Sequence, residues 1–507
     1  MAADVQLMPA TTCLEHQETI IVEDGVTANL ENVENVQPDF EVAAGTSTQL
    51  TQPSTLSDSS ILTNGSLVSS PSSYRKSCRS SKTSSETKVT STPPPDEVTY
   101  GELVVLGYNG SLANGDGGRK RSKFSLCKRA VANGVKPSKK QFITNPKDRK
   151  VANEKSTHSV SYTLSRTQAV VVEYEKDEET DMFQIGRSSE SPIDFIVTDT
   201  ISAAQRAAGQ TQVAQSTISR FSCRICVERT APYTARIYAA GFDQHNHIFL
   251  GEKASKWYNQ DNEIDGLTTN GVLIVHPQGT FSDKGCSPGM WRETSVRGGV
   301  YSLRETRSIP SKSQRVDSES NILLDGTLID LCGATLVWRS QSGLQSAPSP
   351  RHLEEFIERI NASRPQCPVG LTTLVLPKRN VKIDKSRQPY VYLACGHVHG
   401  SHEWKNDSNS RTCPMCMKQG PFVQVQVGRE TSLYADNQPL THVFTPCAHL
   451  TSECTARYWS AVAIPYGCQG FRAMCPFCAT SLNSKQAGAS TKSTGFVKLI
   501  FQDNTEF

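Results

Sequence analysis

The last quarter of the chain carries a doubled set of thiols and imidazoles at metal-ligand spacing. It begins with Cys395-Gly-His397 and continues to Cys413-Pro-Met-Cys416, then begins again with Cys447-Ala-His449 and ends at Cys475-Pro-Phe-Cys478. Two Cys-x-His pairs alternating with two Cys-Pro-x-Cys pairs supply eight ligands. These residue types at these spacings suit tetrahedral Zn²⁺, and eight ligands make two closed sites. A closed site keeps no open position for water, so zinc here is expected to build a surface and not to do chemistry. In the Cys-Pro-x-Cys turn Pro fixes φ, while later backbone N–H groups can face the sulfurs. His399, His402, Cys454 and Cys468 lie among the eight and are read as packing residues around them. Spacing leaves the connectivity open. A sequential arrangement gives each half its own ion. A cross-brace puts Cys395, His397, Cys447 and His449 on one ion and Cys413, Cys416, Cys475 and Cys478 on the other. The cross-brace is preferred, because it ties distant segments into one compact unit.

Charge narrows what such a module touches. Between Cys395 and Cys478 stand six Lys/Arg and five Asp/Glu with interspersed aromatics. A nucleic-acid-binding zinc module would be strongly basic, so a protein partner is expected and nucleic acid is not. The net charge of the whole chain, +3, points the same way. A catalytic zinc hydrolase is disfavoured because the ligand count closes both sites. The first residues lack the basic and apolar segments of a secretory signal. No apolar run reaches the roughly 18 residues that a membrane span needs. Sixteen cysteines without a secretory signal suit a reducing compartment, so a cytoplasmic location is expected.

The elements that position these ligands occupy the rest of the chain. Residues 1–97 read as a disordered tail: no Lys or Arg precedes Arg75, and Ser and Thr dominate from Pro53 to Pro95. Such a stretch buries too little apolar surface to offset its ordering entropy. From Tyr100 short β-rich runs follow one another between Gly and Asn turns. They include Gly101–Gly107, Ala169–Tyr174, Arg236–Ala240, Gly271–Val275 and Gly326–Trp338. Strand-length runs with little helical periodicity predict a β-sandwich over 98–345. Polar stretches around 112–160 and 199–216 read as inserted loops, and the basic run Arg119–Lys123 as solvated loop. Ser349-Pro350 opens a short helix in a linker, 346–390, with Ser as N-cap and Pro at the first helical position. Its Leu353, Phe356, Ile357 and Ile360 make one apolar face. The zinc module follows over 391–507 and ends in a strand-like run, Phe496–Phe501. The expected fold class is mainly β: a sandwich with inserted loops, then a small two-zinc α/β module.

Five segments carry a family resemblance. They are Tyr100–Leu112, Asp181–Arg187, Asp265–Gly271, Arg364–Gly370 and Cys395–Gly400. Together they resemble the Pellino proteins, ubiquitin-protein ligases of Toll and interleukin-1 receptor signalling, over about residues 98–507. The resemblance implies an atypical forkhead-associated domain followed by a RING-like domain. A forkhead-associated domain is a sandwich whose end loops hold a phosphothreonine peptide. The matching positions here are Arg187, Ser219, Arg220, Thr269 and Asn270. These residue types suit such a peptide. Arg gives a phosphate charge-assisted bonds, Ser donates a hydroxyl, and Asn pairs with the peptide backbone. The family of forkhead-associated domains usually carries a loop-bracing His three residues after the phosphate-binding Ser, and Ser222 stands there instead. Most RING domains also open with two Cys separated by two residues, where this chain has Cys395-Gly-His397. The implied partners are ubiquitin, a ubiquitin-conjugating enzyme and a phosphorylated interleukin-1-receptor-associated or Pelle-like kinase, with no membrane insertion. No catalytic residue is expected, because transfer would run directly from the conjugating enzyme to a substrate Lys. The competing reading is a phosphothreonine-binding scaffold whose zinc module only mediates assembly.

Overall fold

The computed structural model describes residues 98–108, 123–145, 157–197, 217–281, 283–307, 309–310, 313–378, 383–401, 410–428, 430, 433–466, 470–482 and 494–502. The tail 1–97, the stretch 199–216, Arg119–Arg121, His402, Trp404 and Cys468 lie outside them. Among the described residues no helix is long and apolar enough to cross a membrane.

Two sheets form the sandwich. The larger has seven strands in the order Val300–Tyr301, Arg292–Thr294, Leu273–Val275, Leu328–Asp330, Ala334–Ser340, Thr99–Tyr108, Lys123–Cys127. The second runs Phe195–Ile196, Thr180–Gly186, Cys223–Glu228, Ala235–Ala239. The run Cys223–Val227 is buried at every position, so this sheet is covered on both faces. Ile225 and Ile237 belong to the sandwich core. The opposite face carries Arg224, which lies over Tyr174 of a third sheet. That third sheet orders His247–Leu250, His158–Thr163, Ala169–Asp177 and Gly134–Thr144.

Two expectations are corrected here. The polar stretch 112–160 is not simply a loop, since it supplies the strands Lys123–Cys127 and Gly134–Thr144. The second is an edge strand held by backbone pairing to Ala169–Asp177. Its Phe142 and Ile143 are exposed, so no burial pattern marked it in the sequence. The run Gly326–Trp338 is two strands, because Cys332 takes φ 61° and Gly333 φ 155° and turn the chain into a hairpin.

Helices α1 (Gln341–Ser346) and α2 (Pro350–Ala362) follow. The Ser349 side chain accepts from the His352 N–H at the start of α2, as a cap should. Leu353, Ile357 and Ile360 are buried in one cluster with Val391, Leu393 and Val443 of the Cys/His module, so the helix docks on that module.

The module is built from two like lobes. In the first, the strands Tyr390–Tyr392 and Val398–His399 form a hairpin beside that of Ser410–Thr412 and Gln419–Gln424. In the second, His442–Phe444 pairs with Leu450–Thr451 and with Phe496–Lys498, and helix α3 (Glu453–Ala461) follows. Each lobe lends a strand end to the other. Gln426 of the first bonds the second lobe's turn at Ala448 and Leu450 (3.0 and 2.8 Å). Ile500 of the second bonds the first lobe's turn at Val398 and Gly396 (3.0 and 2.8 Å).

The sandwich and the second lobe share one hydrophobic core. Val104, Leu273, Leu328 and Val337 of the large sheet, with Phe281 from a turn beside it, pack with Tyr434, Tyr458, Trp459, Met474 and Phe477. Trp291 Nε1 donates to Ala463 O at 2.6 Å, and Arg339 Nη1 donates to Leu433 O at 2.7 Å. Nothing in the spacing of the sequence announced this interface.

Candidate functional site

All eight expected ligands come together, but not in the preferred pairing. Cys395, His397, Cys413 and Cys416 form one cluster and Cys447, His449, Cys475 and Cys478 the other, each with its ligand atoms within 4.8 Å of one another. The arrangement is sequential, and the cross-brace is wrong. The physical reason lies in the strand exchange: backbone bonds at Gln426 and Ile500 already tie the lobes together. Shared ligands are not needed for compactness.

One backbone turn presents every ligand pair. The N–H of its first residue donates to the carbonyl five residues on, and the fifth residue's N–H donates back to the first carbonyl. The pairs are Tyr392 with His397 and Gly396, Cys413 with Lys418 and Met417, Phe444 with His449 and Ala448, and Cys475 with Thr480 and Ala479. The fifth residue is left-handed each time: φ is 85° at Gly396, 60° at Met417, 57° at Ala448 and 57° at Ala479. In all four turns the fourth residue is a Cys ligand, and the second ligand is the first residue or the sixth. A fifth turn of the same bonding runs from Cys367 to Thr372, with Leu371 at φ 53°. Its fourth residue is Gly370, so it keeps the shape without the second thiol.

Gly396 carries an extra demand. A Cβ there would lie 1.9 Å from the carbonyl oxygen of Lys498 on the exchanged strand. Gly396→Ala is therefore expected to cost at least roughly 2 kcal/mol and to loosen the exchange. Amide exchange at Ile500 should speed up while Leu450 stays protected. Unchanged protection at Ile500 would refute the role given to this glycine.

The donor atoms fit a metal of this chemistry. Cys395 Sγ and Cys413 Sγ lie 3.3 and 3.6 Å from His397 Nδ1, and Cys475 Sγ lies 3.8 Å from His449 Nδ1. A tetrahedral ion bound at about 2.0–2.3 Å sets ligand atoms about 3.3–3.8 Å apart. Burial pushes the Cys395 thiol up to about 12 and Cys475 well above its usual range, while hydrogen bonds from their neighbours push Cys416 and Cys478 down, so these thiols titrate together within each cluster. His399 is buried but packs edge-on against Tyr392, outside the ligand set. Cys454 sits half-buried in α3 with its thiol pushed up by burial, which suits packing and not nucleophilic attack.

The phosphate-binding candidates converge at one end of the sandwich. Arg187 follows the strand Thr180–Gly186, and its N–H donates to Ser219 O at 3.1 Å. Its Nε donates to Ile218 O at 2.8 Å, which sets the guanidinium against the 217–220 loop. Asn270 Nδ2 donates to Thr217 O at 2.7 Å and to Ser219 Oγ at 3.0 Å. With its oxygen accepting from Asn270, the Ser219 hydroxyl keeps its own proton to donate. Thr269 is exposed beside it. Arg220 is exposed and pairs with Glu190. Ser222 supplies a brace of its own, because its Oγ donates to Ser219 O at 3.0 Å.

Other braces were not visible in the sequence. Arg304 Nη2 donates to Thr268 O at 2.9 Å while its Nε bonds Glu293 at 3.0 Å, and both side chains are buried. Arg307 donates to Asn270 O at 3.2 Å and pairs with Asp330. These arginines hold the 268–271 turn from beneath. They lie more than thirty residues from it in sequence, at no motif spacing.

A forkhead-associated sandwich fused to a two-centre Cys/His module is the class that fold and site define. Comparison with known proteins sharpens it. Residues 91–356 match the family profile described as "Pellino, FHA domain" and residues 360–506 the one described as "Pellino, RING domain". The chain is 55% identical over 415 residues to E3 ubiquitin-protein ligase pellino homolog 2 of Homo sapiens, covering 81% of this chain and 96% of that one. It is 57% identical over 410 residues to Protein pellino of Drosophila melanogaster, covering 80% and 94%. It is 50% identical over 413 residues to E3 ubiquitin-protein ligase pellino homolog 3 of Mus musculus, covering 80% and 90%. The chain belongs to the Pellino family of E3 ubiquitin-protein ligases.

Proposed function

We propose that this ligase captures phosphothreonine-bearing signalling proteins on the sandwich and promotes ubiquitin transfer to them from a charged conjugating enzyme held by the Cys/His module. Each cluster would hold one structural Zn²⁺, which suits a donor set of three thiolates and one imidazole with closed coordination. The setting proposed is Toll and interleukin-1 receptor signalling in the cytoplasm, and the partner a phosphorylated interleukin-1-receptor-associated or Pelle-like kinase. The observation that carries the reading is the convergence of Arg187, Ser219 and Asn270 through direct hydrogen bonds between their loops.

In the reaction a substrate Lys amine attacks the thioester carbonyl of the conjugating enzyme. An isopeptide bond forms and the enzyme's thiolate leaves. This chain supplies proximity and orientation, worth about 7–11 kcal/mol of barrier in favourable cases. The first lobe is the better docking surface for that enzyme. Its turn exposes Met415 and Met417, at 49% and 73%, whereas Pro476 and Phe477 of the matching turn are buried.

The capture half is tested at Arg187. Arg187→Ala is expected to weaken a phosphothreonine peptide roughly ten- to hundredfold, because a hydrogen bond to a charged group is worth about 1.5–3 kcal/mol. Calorimetry at one salt concentration measures it, and unchanged affinity would reject the assignment. The transfer half is tested by autoubiquitination with a panel of conjugating enzymes. A chain that binds zinc and phosphopeptide but transfers no ubiquitin with any of them would favour the scaffold.

A further inference from the structure

A second cationic site lies between the sandwich and the third sheet. Arg224 is 2% exposed there. Its guanidinium donates to three carbonyls, Ala239 O at 3.0 Å, Ala240 O at 2.9 Å and Val296 O at 2.8 Å. The rings of Tyr174, Tyr238 and Phe242 surround it at 4.9–5.8 Å. None of these hydrogen bonds goes to a carboxylate. Carbonyl dipoles and ring faces supply only partial charge, and a buried cation without a full counter-charge is costly.

Arg224 lines a cleft of about 90 Å³. Lys136, Arg236 and Arg297 line it too, against the two carboxylates Asp177 and Glu228. Among the lining side chains alone cations exceed carboxylates by two, but Glu175 and Glu263 outside the lining pair with Lys136 and Arg297, so a phosphate dianion, at about −1.5 to −2, has to displace those partners. The rim cations are partly engaged: Arg236 pairs with Glu228, Arg297 with Glu263 at 2.7 Å, and Lys136 with Glu175 at 3.8 Å. The Lys136 and Glu175 side chains are both more than half exposed, so that pair yields readily to an anion.

We propose that this cleft is a second phosphate-binding site, distinct from the Arg187 loops. Thr180, at the start of the strand that ends before Arg187, lines the cleft. The cleft runs beside that strand from Thr180 to Gln184, the residue that pairs with Arg224, so at about 3.3 Å per residue it lies roughly 10–23 Å from Arg187. An extended peptide needs about three to seven residues to span that distance. The phosphate comes either from a second phosphorylated residue on a captured peptide or from a free phosphate compound.

The test uses the full chain. In Arg187→Ala protein, inorganic phosphate titrated by calorimetry at low salt is expected to bind saturably. Adding Lys136→Ala and Arg236→Ala should weaken that binding at least tenfold with circular dichroism unchanged. This arm does not depend on the phosphothreonine reading. The second arm does, and compares singly phosphorylated peptides with a series carrying two phosphates three to ten residues apart. A gain of tenfold or more for the double peptide, erased by Lys136→Ala with Arg236→Ala, identifies the source as the peptide. Phosphate binding that senses these residues without a peptide gain identifies a free phosphate compound. If Arg187→Ala abolishes all saturable phosphate binding, or if Lys136→Ala with Arg236→Ala changes neither arm, the second site does not exist.

Discussion

Replacing Cys475 and Cys478 by Ser together is expected to unsettle the sandwich as well as the lobe that carries them. Structural zinc contributes about 10–16 kcal/mol of apparent binding energy in small modules. Whole domains are stable by only about 5–15 kcal/mol, so a second lobe that holds such an ion is not expected to outlast its loss. Cys475 is itself part of the core shared with the large sheet, beside Met474 and Phe477. Once that lobe opens, Leu273, Leu328 and Val337 lose their cover. Cys413→Ser with Cys416→Ser makes the contrast. The first lobe packs with α2 and with Val443, Ala448 and Leu450 of the second lobe, and its strands give no residue to the core shared with the large sheet, so its loss should leave the sandwich protected. Elemental analysis should give one zinc per chain in either double mutant and two in the parent. Amide exchange along Ala334–Ser340 should accelerate only in the Cys475/Cys478 mutant. If both mutants left those amides equally protected, the shared core would carry no such coupling.

The two Cys/His clusters were legible because coordination chemistry restricts both residue type and spacing. The eight positions stand where their spacing placed them, and the helix at Ser349-Pro350 begins at its cap. The pairing of ligands was not legible, since it depends on which strand ends cross between lobes. Residues such as Gln426 and Ile500 act there through their backbone, which leaves no side-chain signature. The loop positions Arg187, Ser219 and Asn270 were legible only through resemblance, because short loop motifs are common. The arginines beneath them were not, since Arg304 and Arg307 reach the turn from a distant loop. The Gly134–Thr144 strand was hidden by its exposed, polar character. Edge strands are fixed by pairing, and pairing is not written in composition.

Phe281→Ala is expected to separate the unfolding of the sandwich from that of the Cys/His module while both keep their ligands. Phe281 is 7% exposed and meets Tyr458 of α3 edge-to-face at 5.4 Å. Arg339 stacks over the same ring at 4.9 Å while donating to Leu433 O. Gly326, at φ 84°, lets the ring lie flat against the backbone; a Cβ there would fall 2.3 Å from it. One side chain thus joins a sheet strand turn, a buried guanidinium and the helix of the second lobe. Truncating a buried Phe costs about 3–5 kcal/mol through lost transfer energy and the cavity left behind. No residue of the Cys/His clusters or of the proposed phosphothreonine site is touched, so zinc content and any phosphothreonine affinity should hold. The parent should unfold in denaturant as one transition by tryptophan fluorescence and by zinc release. In Phe281→Ala the zinc-release transition should move to lower denaturant and leave the sandwich transition behind it. Autoubiquitination should persist, whereas transfer to a captured phosphoprotein should fall, because capture and transfer no longer share a fixed frame. Coincident transitions in the mutant, with substrate transfer unchanged, would show that the two parts do not act through this contact.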